Sequence, residues 1–147
     1  MPAAPLIVLE RDGHWAAALR LATGDPAVRL VEVRSWDECW RRLQEHPSAL
    51  VAVELTDANI DAVVAALGRI ERKFPQAAPL IFAERKLAPY RGVLCEAGAL
   101  HFVTSPRELG GISEILCRRR HFSETVAVAS NRLDEIVAEL PWRDAVE

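Results

Sequence analysis

The chain has 147 residues, of which 50% are hydrophobic and 27% are charged, and its formal net charge is −3. This length suits one domain that buries its own core, and the hydrophobic share is too high for a disordered chain. No apolar run approaches the ~20 residues that a membrane helix needs, and the weak negative charge does not favour nucleic acid or an acidic membrane. The amino terminus lacks the basic start and apolar centre of a signal peptide. We therefore expect a soluble, cytoplasmic protein without nucleic-acid or membrane partners.

Five short apolar segments predict β-strands. They are residues 6–9, 28–33, 50–55, 80–82 and 100–103. Four of the five are almost continuously apolar, which is typical of parallel strands covered by helices on both faces. The second segment alternates apolar and polar residues, and this pattern predicts an edge strand.

Segments of helical period lie between and after these strands. Their apolar residues are Trp15, Leu19 and Ala22 in the first segment, Cys39, Trp40 and Leu43 in the second, Ile60, Val63, Val64, Leu67, Ile70 and Phe74 in the third, Tyr90, Val93, Leu94 and Ala97 in the fourth, and Ile112, Ile115 and Leu116 in the fifth. Ser35 and Glu38 predict a capping box at the start of the second helix, and Pro89 suits the first turn of the fourth. The alternation of strands and helices predicts an α/β protein with a doubly wound parallel sheet.

Three stretches of the sequence resemble the receiver domain of bacterial response regulators. Residues 35–55 are similar to the second helix and third strand of that family, and residues 74–81 are similar to the approach to its fourth strand. Residues 97–102, followed by Ser105 and Pro106, resemble its fifth strand and the proline after it.

The resemblance covers roughly residues 5–120 and implies a flavodoxin-like, five-stranded parallel sheet of order 2-1-3-4-5. It also implies a phosphorylation pocket, in which two acidic residues hold magnesium, an aspartate accepts the phosphoryl group, and a Thr or Ser and a Lys contact it. The corresponding positions in this chain are Glu10 and Arg11 for the acidic pair, Glu54 for the acceptor, Glu84 (or a residue beside it) for the hydroxyl, and Ser105 for the lysine. All five differ from the family pattern.

These differences predict a degenerate pseudo-receiver that does not accept phosphate. The longer side chain of Glu54 moves its carboxylate about 1 Å from the in-line position, and Arg11 repels a divalent cation. Glu84 and Ser105 supply an anion and a neutral group where the phosphoryl group needs a donor and a cation. Three interpretations of the pocket stay open: Arg11 pairs with Glu54 or Glu84 in place of the metal, Glu54 imitates a phosphorylated aspartate, or the charges have drifted without a function.

Other chemistry-bearing residues give weaker signals. Asp57 is the nearby aspartate that could act as a displaced acceptor, although residues 56–59 suit a loop and helix cap. The three cysteines and four histidines lack metal-ligand spacing, so we expect reduced thiols, no metal, no catalytic residue and no cofactor. Phe102 stands at the position of the family's switch aromatic, where we expect a packing role.

Two tryptophans and the carboxyl-terminal residues predict surfaces for a protein partner. Trp36 and Trp40 lie one turn apart on the second helix, so either one is exposed as an aromatic anchor or both pack across the helix end. Beyond residue 121, apolar residues recur in steps of three and four: Phe122, Val126, Ala129, Leu133, Ile136 and Leu140, followed by Trp142.

We divide the chain into a receiver-like domain, residues 1–121, and a helical extension, residues 122–147. The extension either continues the fifth helix or forms a separate helix after a break near Ser123. The predicted function is a phosphorylation-independent adaptor in bacterial signalling, without enzymatic activity, that binds a protein partner or a second copy through the fifth helix and the extension. The alternatives are an atypical receiver switched by a small ligand or by unconventional phosphorylation, and a small flavodoxin-like enzyme.

Overall fold

Five parallel strands form a sheet in the computed structural model, which describes residues 5–24, 28–112, 114, 115, 118 and 132. The strands are β1 (Leu6–Leu9), β2 (Leu30–Val33), β3 (Leu50–Leu55), β4 (Ala78–Ala83) and β5 (His101–Val103). Their order is β2-β1-β3-β4-β5, and each neighbouring pair is parallel. The predicted flavodoxin-like sheet of order 2-1-3-4-5 is confirmed, and β2 is an edge strand, as its alternating pattern predicted.

Helices follow the strands in the order that the sequence predicted. They are α1 (His14–Thr23), α2 (Trp36–Glu45), α3 (Ile60–Lys73) and α4 (Arg91–Glu96), with 3₁₀ turns at Arg85–Tyr90 and Pro106–Leu109 and helical residues at 110–112. Pro89 lies inside the first 3₁₀ turn, so α4 begins at Arg91 instead of at the proline. Ser35 caps α2 as predicted, because its Oγ accepts from the N–H of Glu38 at 3.3 Å, and Glu38 Oε2 reaches back to the N–H of Arg34, the residue before the N-cap, at 2.9 Å.

Side-chain alternation along the strands separates the two faces of the sheet. Leu9 of β1 pairs with Val53 of β3, and both belong to the core cluster that also contains the buried residues of α2 and α3. Because successive strand residues point to opposite faces, the side chains of Glu10 and Glu54 point away from this core cluster, towards the face of the sheet that α1 covers. This register decides which charged residues meet at the carboxyl ends of the strands.

The chain divides into two compact units, residues 1–112 and residues 113–147. In the second unit the structure describes four residues, all helical, and the side chains of Glu114 and Arg118 approach to 4.0 Å. The predicted boundary after residue 121, the extension 122–147 and the choice between a continued and a broken helix lie outside the described residues. In the part of the chain that the structure describes, no helix is long and apolar enough to cross a membrane.

Candidate functional site

Glu10, the first position of the predicted acidic pair, is buried and caps α1. Its two carboxylate oxygens accept hydrogen bonds from the backbone N–H groups of Trp15 and Ala16, both at 2.8 Å, and the residue is 4% exposed. The N-cap position is Gly13 at φ +78°, which has no side chain to accept these bonds. A carboxylate on the first amides of a helix also interacts favourably with the helix dipole. The Glu10 carboxylate is therefore engaged in holding β1 to α1.

Arg11, the second position of the pair, forms no ion pair with Glu54 or Glu84. Its exposed side chain lines a crevice of about 210 Å³ on the α2 side, whereas Glu84 lines a separate cleft on the α1 side. The ion pairs found among the described residues do not include Arg11. The pairing of Arg11 with Glu54 or Glu84, one of the three interpretations of the pocket, is therefore not formed, although Glu54 also lines the crevice that contains Arg11.

The residues at the acidic-pair position do not fit a magnesium ion. Magnesium takes oxygen ligands in near-octahedral geometry. Glu10 has both oxygens on the amides of α1, and Arg11 is a permanent cation. Across the described residues, no group of three or more His, Cys, Asp or Glu side chains is placed to hold a metal ion.

A cleft of about 470 Å³ opens on the α1 side, at the carboxyl ends of β3 and β4. The charged and titratable residues that line it are Asp12, His14, Glu54, Asp57, Glu84, Arg85 and Lys86. Trp15 also lines the cleft, where it is 8% exposed and stacks on Phe82 with 5.0 Å between ring centroids. The cleft therefore combines an apolar wall with a rim that carries four carboxylates.

Glu54, the residue at the acceptor position, is partly buried among like charges. Burial raises the pKa of its carboxyl group, and the negative charges of Glu10, Asp12 and Glu84 raise it further, while His14 opposes them. Asp12 was not among the predicted site residues. The field at the acceptor position is thus negative, which is the opposite of what a phosphoryl group requires.

Lys86 supplies a cation to this cleft that the sequence interpretation missed. Its Nζ lies 2.8 Å from Asp57 Oδ2 and 3.5 Å from Glu84 Oε2, and these contacts, with the Asp57 hydrogen bond foremost, raise its pKa. The three side chains are 60–76% exposed, so solvent screens the bridge strongly. The sequence could have predicted the contact between Asp57 and Lys86, because these residues follow the carboxyl ends of the neighbouring parallel strands β3 and β4, which meet at one edge of the sheet.

The loop after β3 is held by Asn59, and Asp57 projects from it. Asn59 Oδ1 accepts from the N–H of Thr56 at 2.7 Å, and its Nδ2 donates to the carbonyl of Glu54 at 2.8 Å. Residues 56–59 therefore form the predicted loop before α3, but the predicted side-chain cap is not formed, because Asn59 at the N-cap position makes no capping hydrogen bond. Asp57 is 68% exposed and faces the Lys86 ammonium across the mouth of the cleft.

Ser105 caps a turn instead of replacing the family's lysine in the cleft. Its Oγ accepts from the N–H of Arg107 at 3.3 Å, at the start of the 3₁₀ turn after β5. Its neighbours Thr104 and Pro106 line the cleft. Of the five predicted pocket residues, the cleft is lined by two, Glu54 and Glu84.

Trp36 and Trp40 pack against each other, and both are half-buried. Their ring centroids are 5.4 Å apart at an interplanar angle of 23°, and Trp40 continues the stack to Phe74 at 6.4 Å and 10°. The Arg69 guanidinium lies 4.3 Å from the centroid of the Trp40 ring. The remaining candidate interface residues, Phe122, Val126, Leu133, Ile136, Leu140 and Trp142, lie outside the described residues.

Cys39, Cys95 and Phe102 line neither the cleft nor the crevice. Burial raises the pKa of the Cys39 thiol to about 12, so this cysteine carries no reactive thiolate at neutral pH. Cys95 is exposed on α4, and Cys117 lies outside the described residues. Phe102 is 1% exposed and packs in the core, with the Arg91 guanidinium 5.4 Å from its ring centroid.

Solved structures share this architecture, although no protein-family model and no curated protein sequence matches the chain. A CheY-like protein, TadZ, from Pseudomonas aeruginosa PAO1 has a TM-score of 0.65 and 17% identity, over 78% of this chain and 93% of that one. HP1043, an orphan response regulator of H. pylori, has a TM-score of 0.63 and 13% identity, over 80% and 97%.

A response regulator receiver domain protein from Clostridium thermocellum gives a similar match. Its TM-score is 0.64 at 13% identity, over 82% of this chain and 98% of that one. Identities this low establish the fold alone, and the strand order agrees with it. The chain thus has the fold of a response-regulator receiver domain, as its sequence predicted.

Proposed function

We propose that the chain is a receiver-like protein-interaction module of bacterial signalling that works without phosphorylation and is not an enzyme. The observation that carries this proposal is the position of Glu10, whose carboxylate is buried on the amides of α1. Phosphoryl transfer in a receiver depends on positioning and on neutralisation of negative charge. At the position where the family binds magnesium, the Glu10 carboxylate accepts from the amides of α1, and its neighbour Arg11 lines the crevice on the α2 side.

The charges around Glu54 support the same conclusion. A phosphoryl group on this side chain would add negative charge close to Asp12 and Glu84, whose fields already raise the pKa of the Glu54 carboxyl group. Of the two cations that line the cleft, Arg85 and Lys86, the second is in contact with Asp57 and Glu84. An acyl phosphate at Glu54 would therefore form in an unfavourable field.

Phosphate transfer from a small donor tests phosphorylation independence directly. The full chain is incubated with acetyl phosphate and magnesium, and its intact mass is compared with that of a phosphorylatable receiver in the same tube. We expect no added mass of one phosphoryl group on this chain while the control receiver is modified. A stoichiometric adduct on Glu54 or Asp57 would overturn the proposal.

One contact favours a second candidate, unconventional phosphorylation at Asp57. Its Oδ2 lies 2.8 Å from Lys86 Nζ, and the side chain is 68% exposed to a phosphodonor. The same experiment separates the two functions, because Asp57→Asn would abolish an adduct carried by Asp57 and Glu54→Gln would leave it in place. An unmodified wild-type chain excludes this second candidate under those conditions.

The partner of the proposed module is a protein or a second copy of the chain, bound through the fifth helix and the extension. The three-and-four spacing of apolar residues after residue 121 supports this assignment. Ile136→Glu places a charge on the apolar seam, and Ala138→Glu places the same charge off it. We expect the first variant alone to lower the mass measured by size-exclusion chromatography with light scattering. A monomeric wild-type chain at all concentrations would overturn self-association.

A further inference from the structure

The crevice on the α2 side is a second concave site with its own chemistry. It lies at the carboxyl ends of β1 and β3, and its polar lining includes Arg11, Arg34 and Ser35, with Trp36 beside them. In a sheet of order 2-1-3-4-5, β1 and β3 flank the point where the strand order reverses. Open α/β sheets bind ligands in the crevice at this point.

Two arginines line the crevice, and one of them has no ion-pair partner among the described residues. Arg34 is held in place, because its Nη1 donates to the carbonyl of Glu10 at 3.3 Å and its Nη2 donates to Glu32 Oε1 at 3.2 Å. Arg11 is exposed and takes part in none of the ion pairs among the described residues. It is therefore available to an incoming anion.

Acidic residues also border the crevice. Glu10 has both carboxylate oxygens on the amides of α1. Glu54 lines the crevice as well as the α1-side cleft, and Arg11 is not among the charges that act on its carboxyl group. Arg34 is paired with Glu32, so Arg11 is the cation of the crevice without an ion-pair partner among the described residues.

The remaining lining suits a phosphate group attached to a flat apolar one. Guanidinium groups bind phosphate oxygens through paired hydrogen bonds, and the hydroxyl of Ser35 stands beside them. The first amides of α2 have no acceptor within the helix and add to the attraction for an anion. The half-buried Trp36 provides an apolar wall against which a planar ring can stack.

We propose that this crevice binds a small phosphate-bearing ligand without covalent chemistry, with Arg11 as its principal contact. The inference goes beyond the proposed function, since it concerns a different face of the sheet and no transfer of a phosphoryl group. A volume of about 210 Å³ suits inorganic phosphate or the phosphate end of a larger molecule. Arg34 and Ser35 would complete the phosphate contacts.

Isothermal titration calorimetry at low ionic strength tests the site on the full chain, with inorganic phosphate and adenosine monophosphate as separate probes. We expect Arg11→Gln to weaken binding of either probe at least tenfold, because one charge-assisted contact is lost. Arg41→Gln removes a charge of the same kind from the exposed face of α2, outside the crevice, and is expected to leave affinity unchanged. Thermal unfolding of each variant shows that the fold is retained.

The two probes distinguish the sources of the phosphate. Tighter binding of the monophosphate indicates a ligand with a ring against Trp36, and equal binding indicates free phosphate. Absence of binding to the wild-type chain, or equal losses in Arg11→Gln and Arg41→Gln, would overturn the site. Calorimetry measures reversible binding and the acetyl phosphate experiment measures a covalent adduct, so a failure of this inference is distinguishable from a failure of the phosphorylation-independent function.

Discussion

The two concave sites at the carboxyl ends of the strands differ in the charges that line them, although Glu54 of β3 contributes to both. The cleft on the α1 side is lined by four carboxylates, with Lys86 in contact with two of them. The charged residues that line the crevice on the α2 side are Glu10, Arg11, Arg34 and Glu54, so carboxylates and guanidinium groups are equal in number there. Directly after β1, the Glu10 carboxylate accepts from the amides of α1, whereas the Arg11 side chain lines the crevice.

The effect of a substitution at the end of a strand therefore depends on which of the two sites the new side chain reaches. Arg11 stands where the family pattern has an acidic residue, yet its side chain lines the crevice on the α2 side. It does not line the cleft on the α1 side, where the sequence had suggested a cation. The ammonium group that does enter the α1-side cleft comes from Lys86, in the loop after β4. The proposed loss of phosphorylation chemistry and the proposed anion site therefore both depend on the path of the backbone directly after β1.

The largest expected effect follows from removing the residue that anchors the α1 side. Glu10→Ala leaves the N–H groups of Trp15 and Ala16 without their acceptor at a buried position. Two charge-assisted hydrogen bonds and a helix cap are lost, so we expect the free energy of unfolding to fall by about 2–3 kcal/mol. Urea denaturation at neutral pH measures the change, and far-ultraviolet circular dichroism follows the helix content.

Two control variants show whether the loss of stability in Glu10→Ala comes from the lost helix cap. Glu84→Ala removes a carboxylate that is 76% exposed, and its cost is expected to stay within about 0.5 kcal/mol. Glu10→Asp keeps the charge but shortens the side chain, so it is expected to retain only part of the cap. Equal stability of the wild-type chain and Glu10→Ala would contradict the capping role.

Most of the fold was predictable because both faces of the central strands are buried. Continuous apolar runs are found where helices cover a parallel sheet on both sides, and β1, β3 and β4 have such runs. The helix starts were less predictable. Ser35 and Glu38 signal the start of α2 through their own side chains, whereas α1 begins at His14 and is capped by the side chain of Glu10, directly after β1. A cap of this kind cannot be recognised from the residues next to the helix.

The candidate site was predictable in position but not in its contacts. Glu54 and Glu84 line the cleft because strand ends fix where the chain leaves the sheet. Arg11 and Asp12 lie in a loop and Lys86 lies in the 3₁₀ turn after β4, where the backbone after the strand decides which site each side chain reaches. The sequence therefore indicated which residue types meet at this edge, and the structure shows which of them share a side.

The smallest expected effect concerns the charge on Glu54, and its pH dependence gives it a recognisable signature. Burial, followed by the neighbouring carboxylates, raises the pKa of this group above the ordinary 4.5, so the ionised form is less favourable in the folded chain than in the unfolded one. The wild-type chain therefore loses stability relative to Glu54→Gln as the pH rises above that ordinary value. We expect the variant to be more stable at pH 7 by at most about 1 kcal/mol, since solvent still screens the carboxylate.

Urea denaturation between pH 4 and pH 8 measures this difference, which is expected to shrink towards pH 4, where both side chains are close to neutral. Glu71→Gln, on the exposed face of α3, is the control and is expected to show no such trend. A gain at Glu54 that is the same at every pH would mean that side-chain shape stabilises the variant. A gain in stability that appears only when Glu54 ionises would mean that burial and repulsion among the carboxylates of the α1-side cleft destabilise the folded chain, as the difference in charge between this cleft and the α2-side crevice implies.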